Sequence, residues 1–227
     1  MYYSLINSMN KTVASNPLWD NLVAYYTGDN TPNDAKGTYN GTLVNGATYG
    51  AGKINNGFSL DGVNDYVETP TTTINTSLAH SYSLWIKPTT VNTYSMYMSS
   101  IESTSDGFSI GHDNAGNLGM FRGWINAQNL SGYYLTANTT YHISVVYKGA
   151  SFGVNNLLFY VNGALVSTKS ANIVFTTYKP LIIGANGLTN SGFYKGIIDE
   201  AAVWNRVLSA TEVTELYNSG SGKQYPL

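Results

Sequence analysis

The chain has 227 residues, a net charge of −2 and no cysteine, and charged residues make up only 11% of it. The length suits one large domain, the charge leaves no basic face for nucleic acid, and the lack of cysteine excludes disulfides and thiolate metal sites. Asn, Thr, Ser, Gly and 19 Tyr supply the polarity instead. Such an uncharged, hydrogen-bonding surface suits neutral sugars or close packing against other proteins.

Residues 1–20 are predicted to form an N-terminal arm ahead of a domain at 21–227. Asn16 and Pro17 end the apolar pattern of the arm shortly before the first predicted strand. The arm is rich in apolar and aromatic side chains for a free tail, namely Tyr2, Tyr3, Leu5, Ile6, Met9 and Val13. We therefore expect it to pack on its own domain or, slightly favoured, on a partner chain. Its predicted interface residues are Tyr2, Tyr3, Leu5 and Ile6.

Most of the chain beyond the arm is predicted to be β-strand, because short runs with alternating apolar residues are separated by turn formers. The predicted strands are 22–27, 58–61, 65–68, 82–87, 96–101, 107–111, 118–122, 141–148, 157–161, 164–168 and 181–184, followed by one with Asp199 and Glu200 near its middle. Asn162 and Gly163 form the strongest hairpin signal. Strands at this spacing without intervening helices predict an all-β sandwich or barrel.

One short helix is predicted at the C-terminal end. Ser209 and Glu212 have the spacing of a capping box, and apolar residues at helical spacing follow them. Gly220 stands where the helix should stop. The N-terminus lacks the features of a secretory signal, and no apolar run is long enough to span a membrane.

Several segments line up in an order that is typical of one family. The most specific are Gly57 to Val67, which contains Asp-Gly-Val-Asn-Asp-Tyr-Val, and the Ile-Asp-Glu strand that leads into a Leu-Ser-x-x-Glu helix. From about Leu22 to Asn218 the chain resembles the laminin G-like, or pentraxin-like, domains of the concanavalin A-like lectin and glucanase superfamily. The resemblance implies a two-sheet antiparallel jellyroll sandwich. It also implies roles in adhesion or sugar binding, and in many members a calcium ion.

Enzymatic activity is not predicted. Glycoside hydrolysis needs two carboxyl groups across the sugar, and related hydrolases place them as Glu-x-Asp-x-Glu on one strand. That pattern is absent here, although Glu102 and Asp106 lie four residues apart. The three histidines have no metal-ligand spacing and no Gly-x-Ser-x-Gly motif is present.

Asp199 and Asp29 are the predicted metal residues. Asp199 and Glu200 are neighbours on one strand and should face opposite sides, with Asp199 sharing a face with Ile197, Ala201 and Val203. A carboxylate on an apolar face needs a partner. The resemblance implies a calcium ion, and the Asp29 loop offers the oxygen ligands that calcium prefers. The alternative is that Asp199 accepts hydrogen bonds from a loop.

Trp124, Tyr133 and Tyr134 are the predicted ligand-binding residues, because they surround a segment rich in Gly and Asn. Sugar rings stack on exposed aromatic side chains, and amides hydrogen-bond to sugar hydroxyls. The alternative is that these rings pack in the core or in an interface.

The predicted function is therefore non-catalytic recognition. A lectin-like domain would bind a glycan or surface receptor on a phage appendage or a bacterial surface, either extracellular or at the virion surface. The runner-up is a structural or decoration protein of a virion that contacts other virion proteins through its arm and binds no sugar. A glycoside hydrolase is the third hypothesis.

Overall fold

The computed structural model describes residues 16–71, 78–101, 107–122, 126–149, 151, 153–171, 179–187 and 191–226. Within these residues the chain forms fifteen strands and one α-helix, α1 (Ala210–Tyr217). In chain order, β1 to β15 are Leu22–Tyr26, Thr42–Val44, Thr48–Ala51, Asn56–Asp61, Tyr66–Thr71, His80–Pro88, Ser95–Ile101, Gly107–His112, Asn117–Arg122, Asn126–Tyr134, Tyr141–Tyr147, Leu157–Val161, Ala164–Lys169, Pro180–Ile183 and Lys195–Trp204. No helix in these ranges has the length and apolar character of a membrane span.

The strands form two antiparallel sheets. The first has the order β13-β12-β11-β6-β15-β4-β3, with β1 also paired to β15, and the second has the order β10-β9-β8-β7-β14-β5-β2. The main core contains buried side chains from both sheets, such as Leu84 and Ile143 from the first and Ile110 and Ile183 from the second. The two sheets therefore pack face to face, and the predicted all-β jellyroll sandwich is confirmed.

Alternation along the strands decides which side chains enter this core. In β6, Leu84 and Ile86 belong to the core, whereas Trp85 does not. Trp85 therefore lies on the outer face of the first sheet, which we define as the face turned away from the second sheet.

Three strands were not predicted, β2, β3 and β10. Asn45 and Gly46, a dipeptide typical of turns, form the turn between β2 and β3. However, β2 pairs with β5 in the second sheet and β3 pairs with β4 in the first. The turn therefore carries the chain from one sheet to the other, which a local sequence signal cannot show. β10 runs through the segment rich in Gly and Asn, for which no strand was predicted.

A second apolar cluster covers part of the outer face. Helix α1 contributes Val213 and Leu216, which pack with Trp204 of β15 and Leu208. The capping box is present, since the Ser209 side chain accepts from the Glu212 N–H and the Glu212 side chain from the Ser209 N–H. The helix ends earlier than predicted. Asn218, rather than Gly220, takes the left-handed conformation after its last turn, with φ 49°, because Asn tolerates this region.

The last five residues of the predicted arm pack on the domain itself. Leu18 is fully buried in the second cluster, and the Trp19 ring stacks on Trp204 at 6.2 Å. The Trp204 indole N–H donates to the Leu18 carbonyl at 2.9 Å. Residues 16–20 thus pack on the sandwich, and the domain boundary at residue 21 stays a prediction. Tyr2, Tyr3, Leu5 and Ile6 lie outside the described residues, so their interface role stays a prediction.

Candidate functional site

A β-bulge in β15 shapes the outer face of the first sheet. Asp199 lies opposite Trp85 of β6, whereas Ala202 lies opposite Ser83, so β15 has one extra residue between these pairs. Glu200 lies at this bulge and has a positive φ of 52°. The partner on the other edge of β15 also changes here, from β4 to β1.

Asp199 and Glu200 were expected to face opposite sides of the sheet, with Asp199 on the face of Ala201 and Val203, and the bulge changes this arrangement. Ala201 and Val203 lie in the core between the sheets, whereas Asp199 lies with Ile197 on the outer face. Glu200 also makes its contacts on the outer side, as described below. The alternation rule failed because an inserted residue shifts the side-chain period by one.

The Asp199 carboxylate is held by a loop between β3 and β4. Its Oδ2 accepts the backbone N–H groups of Lys53 at 2.6 Å and Ile54 at 2.9 Å. Two glycines make room for it. A Cβ on Gly52 would lie 2.6 Å from Asp199 Oδ2, and a Cβ on Gly57 would lie 2.9 Å from Asp199 Cβ. The loop therefore donates hydrogen bonds to one carboxylate oxygen, Oδ2, and none to the other.

The second oxygen, Asp199 Oδ1, is buried without a hydrogen-bond partner of good geometry in the described part of the chain. Burial raises the pKa of Asp199 to about 7, and the backbone N–H groups of Ile54, Lys53 and Glu200 oppose that rise. An unpaired buried acceptor is costly, so Oδ1 is an open position for a hydrogen-bond donor.

Glu200, in contrast, has both oxygens occupied. Its Oε2 accepts the Tyr25 hydroxyl and its Oε1 accepts the Gln224 amide at 3.0 Å. The same amide donates to Asp29 Oδ2 at 3.0 Å. Burial raises the pKa of Glu200 to about 8, with the Tyr25 hydroxyl opposing the rise and the carboxylates of Asp199 and Asp29 adding to it.

The predicted metal residues do lie near one another, since the charge of Asp29 contributes to the raised pKa of Asp199. However, both carboxylate oxygens of Asp29 already accept hydrogen bonds from N–H groups. Its Oδ1 accepts the Asn56 backbone at 2.9 Å, and its Oδ2 accepts the Asn55 amide at 3.2 Å and Gln224. This donor set suits an uncoordinated carboxylate, and the described residues contain no group of three or more His, Cys, Asp or Glu able to hold an ion. Calcium binding stays a prediction, supported if calcium raises the melting temperature of metal-free protein.

A cavity of about 160 Å³ opens beside Asp199 on the outer face. We call it the Trp85 cavity. Its principal side chains are Lys53, Trp85, Lys87, Thr140, Ile197 and Asp199. Pairing between β6 and β15 explains the grouping, because Trp85 lies opposite Asp199 and Lys87 opposite Ile197. At about 30 Å³ per water, the cavity has room for about five water molecules.

The indole of Trp85 is fixed in place. Tyr217 of α1 stacks on it at 5.8 Å, and the His142 ring lies 5.0 Å away. The Lys53 ammonium lies 5.1 Å from the indole centroid, as in a cation–π contact. The cavity therefore has one rigid aromatic wall, and a flexible cationic side chain rests on it.

The predicted ligand-binding residues are distributed differently. Trp124 lies outside the described residues. Tyr133 packs against the main core and meets Tyr141 edge to face at 6.3 Å, whereas Tyr134 is 61% exposed. Neighbours on a strand face opposite sides, so these two tyrosines do not form one stacking surface. Their role in binding stays a prediction.

Sequence reasoning missed the Trp85 cavity. The alternation in β6 did place Trp85 opposite Leu84 and Ile86, which was a usable signal. No local pattern, however, connects Lys53, Trp85 and Asp199, because three different segments bring them together.

A family model described as the concanavalin A-like lectin/glucanases superfamily matches residues 61–214, more than half of the chain. The chain belongs to this superfamily. The match begins at the Asp-Gly-Val-Asn-Asp-Tyr-Val segment and ends within α1, so the resemblance read from the sequence is confirmed. No curated protein sequence is significantly similar to the chain.

Solved structures with the superfamily fold share little sequence with the chain. Domain 4 of AbnA, an extracellular arabinanase from Geobacillus stearothermophilus solved with arabinotriose, is 21% identical with a TM-score of 0.72, covering 86% of this chain and 97% of that domain. The binding domain of Paraclostridial Mosquitocidal Protein 1 is 19% identical with a TM-score of 0.68, covering 89% of this chain and 53% of that one. The botulinum neurotoxin serotype D binding domain is 16% identical with a TM-score of 0.65, covering 89% and 53%. The chain thus spans about half of these toxin domains.

Proposed function

We propose that this protein is a non-catalytic carbohydrate-recognition domain that binds a sugar in the Trp85 cavity. The observation that carries the proposal is the unpartnered Oδ1 of Asp199, buried in a cavity with an indole wall. Ligand sites are concave and largely apolar, with a few convergent polar groups that fix orientation. Asp199 and Thr140 supply such groups, and Trp85 and Ile197 supply the apolar surface.

The chemistry matches one sugar ring. A ring hydroxyl donates to Asp199 Oδ1, a second exchanges hydrogen bonds with the Thr140 hydroxyl, and the C–H groups of the ring contact Ile197 and the indole edge. Binding then satisfies an acceptor that the free protein leaves unpaired. The AbnA domain, solved with arabinotriose, supports the proposal by analogy of fold.

The carboxylates support recognition without catalysis. Hydrolysis requires two carboxyl groups on either side of the scissile bond. Among the described carboxylates, Asp199 is the one that lines the cavity. The neighbouring Glu200 does not line it, and its oxygens accept hydrogen bonds from Tyr25 and Gln224. We further propose display on a phage appendage or a bacterial surface, which the uncharged polar composition suits.

The test is a glycan array with the full chain, followed by titration calorimetry on the best ligand. Thr140→Val and Asp199→Asn should each weaken binding by about 1–2 kcal/mol, roughly tenfold, because each removes a hydrogen bond made in the cavity. Tyr134→Ala serves as the control at the site predicted from the sequence, and it should leave the affinity unchanged.

Two results contradict the proposal. If Tyr134→Ala loses affinity and both cavity variants keep it, the sugar binds outside the Trp85 cavity. If no glycan on the array binds, the alternative of a virion structural protein is favoured. Release of reducing ends from β-glucans or galactans would instead indicate a hydrolase. In that case the first variants to examine are Glu102→Gln and Asp106→Asn, two positions outside the described residues.

A further inference from the structure

We infer that the Trp85 cavity selects an anionic sugar, that is, a ring that carries a carboxylate or a sulfate group. This inference rests on the proposed function and names the class of ligand for the same site. It derives from Lys53 and Lys87, two cationic residues that line the cavity together with Asp199.

Cationic side chains are scarce in this protein, and two of them lie at the cavity. Only 11 of the 227 residues are Lys or Arg, yet two of them line this one cavity. The ion pairs present in the described residues are Arg206 with Glu212 and Lys223 with Glu215. Neither cavity lysine pairs with a described carboxylate, so both ammonium groups are available to a ligand.

The positions of the two lysines suit a ligand that enters from solvent. Lys87 is exposed and lies opposite Ile197, two positions along β6 from Trp85, so alternation places it on the outer face at the mouth of the cavity. Lys53 is half-buried and rests on the indole. A lysine side chain is flexible, and a charge-assisted hydrogen bond to an anion is stronger than a contact with a ring, so a bound anion would draw Lys53 from the indole.

Asp199 does not oppose an anion as a free carboxylate would. Its Oδ2 already accepts two backbone N–H groups, which neutralise part of the negative charge. The anionic group therefore meets the ammonium groups, while the ring hydroxyls meet the buried Asp199 and the exposed Thr140. A neutral sugar would use the second set of contacts alone.

The experiment compares three probes by titration calorimetry with the full chain: trigalacturonate, a sulfated galactan trisaccharide and uncharged galactotriose. We expect at least one anionic probe to bind about tenfold or more tightly than galactotriose, because it adds a hydrogen bond between charged groups. The two anionic probes distinguish a carboxylate ligand from a sulfate ligand. Lys87→Gln and Lys53→Gln should each weaken that probe about tenfold and leave galactotriose unchanged.

Lys195→Gln is the matched control, since Lys195 is exposed on β15 and does not line the cavity. Equal losses in the control and the cavity variants would show general attraction of charge and overturn the inference. Binding of galactotriose as tight as that of both anions, unchanged in Lys87→Gln, would also overturn it and leave the proposed function standing. Failure of all three probes, together with an array without binding, would overturn the proposed function as well.

Discussion

At the scale of single residues, burial controls the chemistry of the acidic pair on β15. Asp199 and Glu200 are 1% and 4% exposed, and neither forms an ion pair among the described residues. Burial disfavours the charged form, so the pKa of each carboxyl lies well above its ordinary value. The same environment keeps one oxygen of Asp199 open, which is the feature on which the proposed function depends.

The stability of the fold should therefore fall as Glu200 ionises. A carboxyl whose pKa is about 8 in the folded protein and near 4.5 when unfolded stabilises the fold fully below pH 4.5 and loses this contribution as pH rises towards 8. Between pH 6.5 and 8 the wild-type unfolding free energy should decline, by at most about 1.4 kcal/mol per pH unit from this group. Glu200→Gln should flatten that decline in urea titrations.

Glu215→Gln is the control for this prediction, because Glu215 pairs with Lys223 and its pKa is lowered. It should keep the wild-type slope between pH 6.5 and 8. A Glu200→Gln slope equal to that of wild type would mean that Glu200 is already ionised at pH 6.5.

At the scale of elements, the loop between β3 and β4 packs against β15 next to its bulge. The loop donates two N–H groups to Asp199, and it can approach because Gly52 and Gly57 have no side chains. The bulge at Glu200 then puts the Glu200 carboxyl on the outer face beside Asp199. The alternation of strands predicted most of the sheets, but not this site, because one inserted residue has no signature in the apolar pattern.

Gly57→Ala should disrupt this fit. Its Cβ would lie 2.8 Å from the Ile198 carbonyl oxygen and 2.9 Å from Asp199 Cβ, which forces the backbone to shift. We expect a loss of about 1–3 kcal/mol in the free energy of unfolding, as for overpacked positions. Gly50→Ala is the matched control on β3, because its nearest neighbour is the mobile Cδ1 of Ile197 at 3.1 Å. Equal losses in the two variants would argue against a special role for Gly57.

At the scale of the whole molecule, the sandwich carries a third layer on the outer face of its first sheet. Helix α1, the segment at residues 16–20 and the C-terminal tail form this layer, in which Tyr225 contacts both Trp19 and Tyr25. Segments that are distant in sequence thus meet on this face, and Tyr217 of the same layer stacks on Trp85.

Leu18→Ala should test whether that segment belongs to the folded unit. Removing a fully buried leucine costs about 2–5 kcal/mol, through lost burial and the cavity left behind. Thermal unfolding should remain cooperative with a lower midpoint. Val63→Ala, at a 68% exposed side chain, should leave the midpoint nearly unchanged. A Leu18→Ala midpoint equal to that of wild type would show that the segment unfolds independently of the sandwich.

The sequence by itself determined the fold class, the capped helix and the superfamily, because alternation, turn dipeptides and a capping box are local signals that tertiary contacts did not override. Only the tertiary structure decided the candidate site. Lys53, Trp85 and Asp199 are far apart in the chain, and their meeting depends on the register between β6 and β15 and on the bulge at Glu200. Pairing register and bulges arise from contacts between strands, so no spacing within one strand could reveal them.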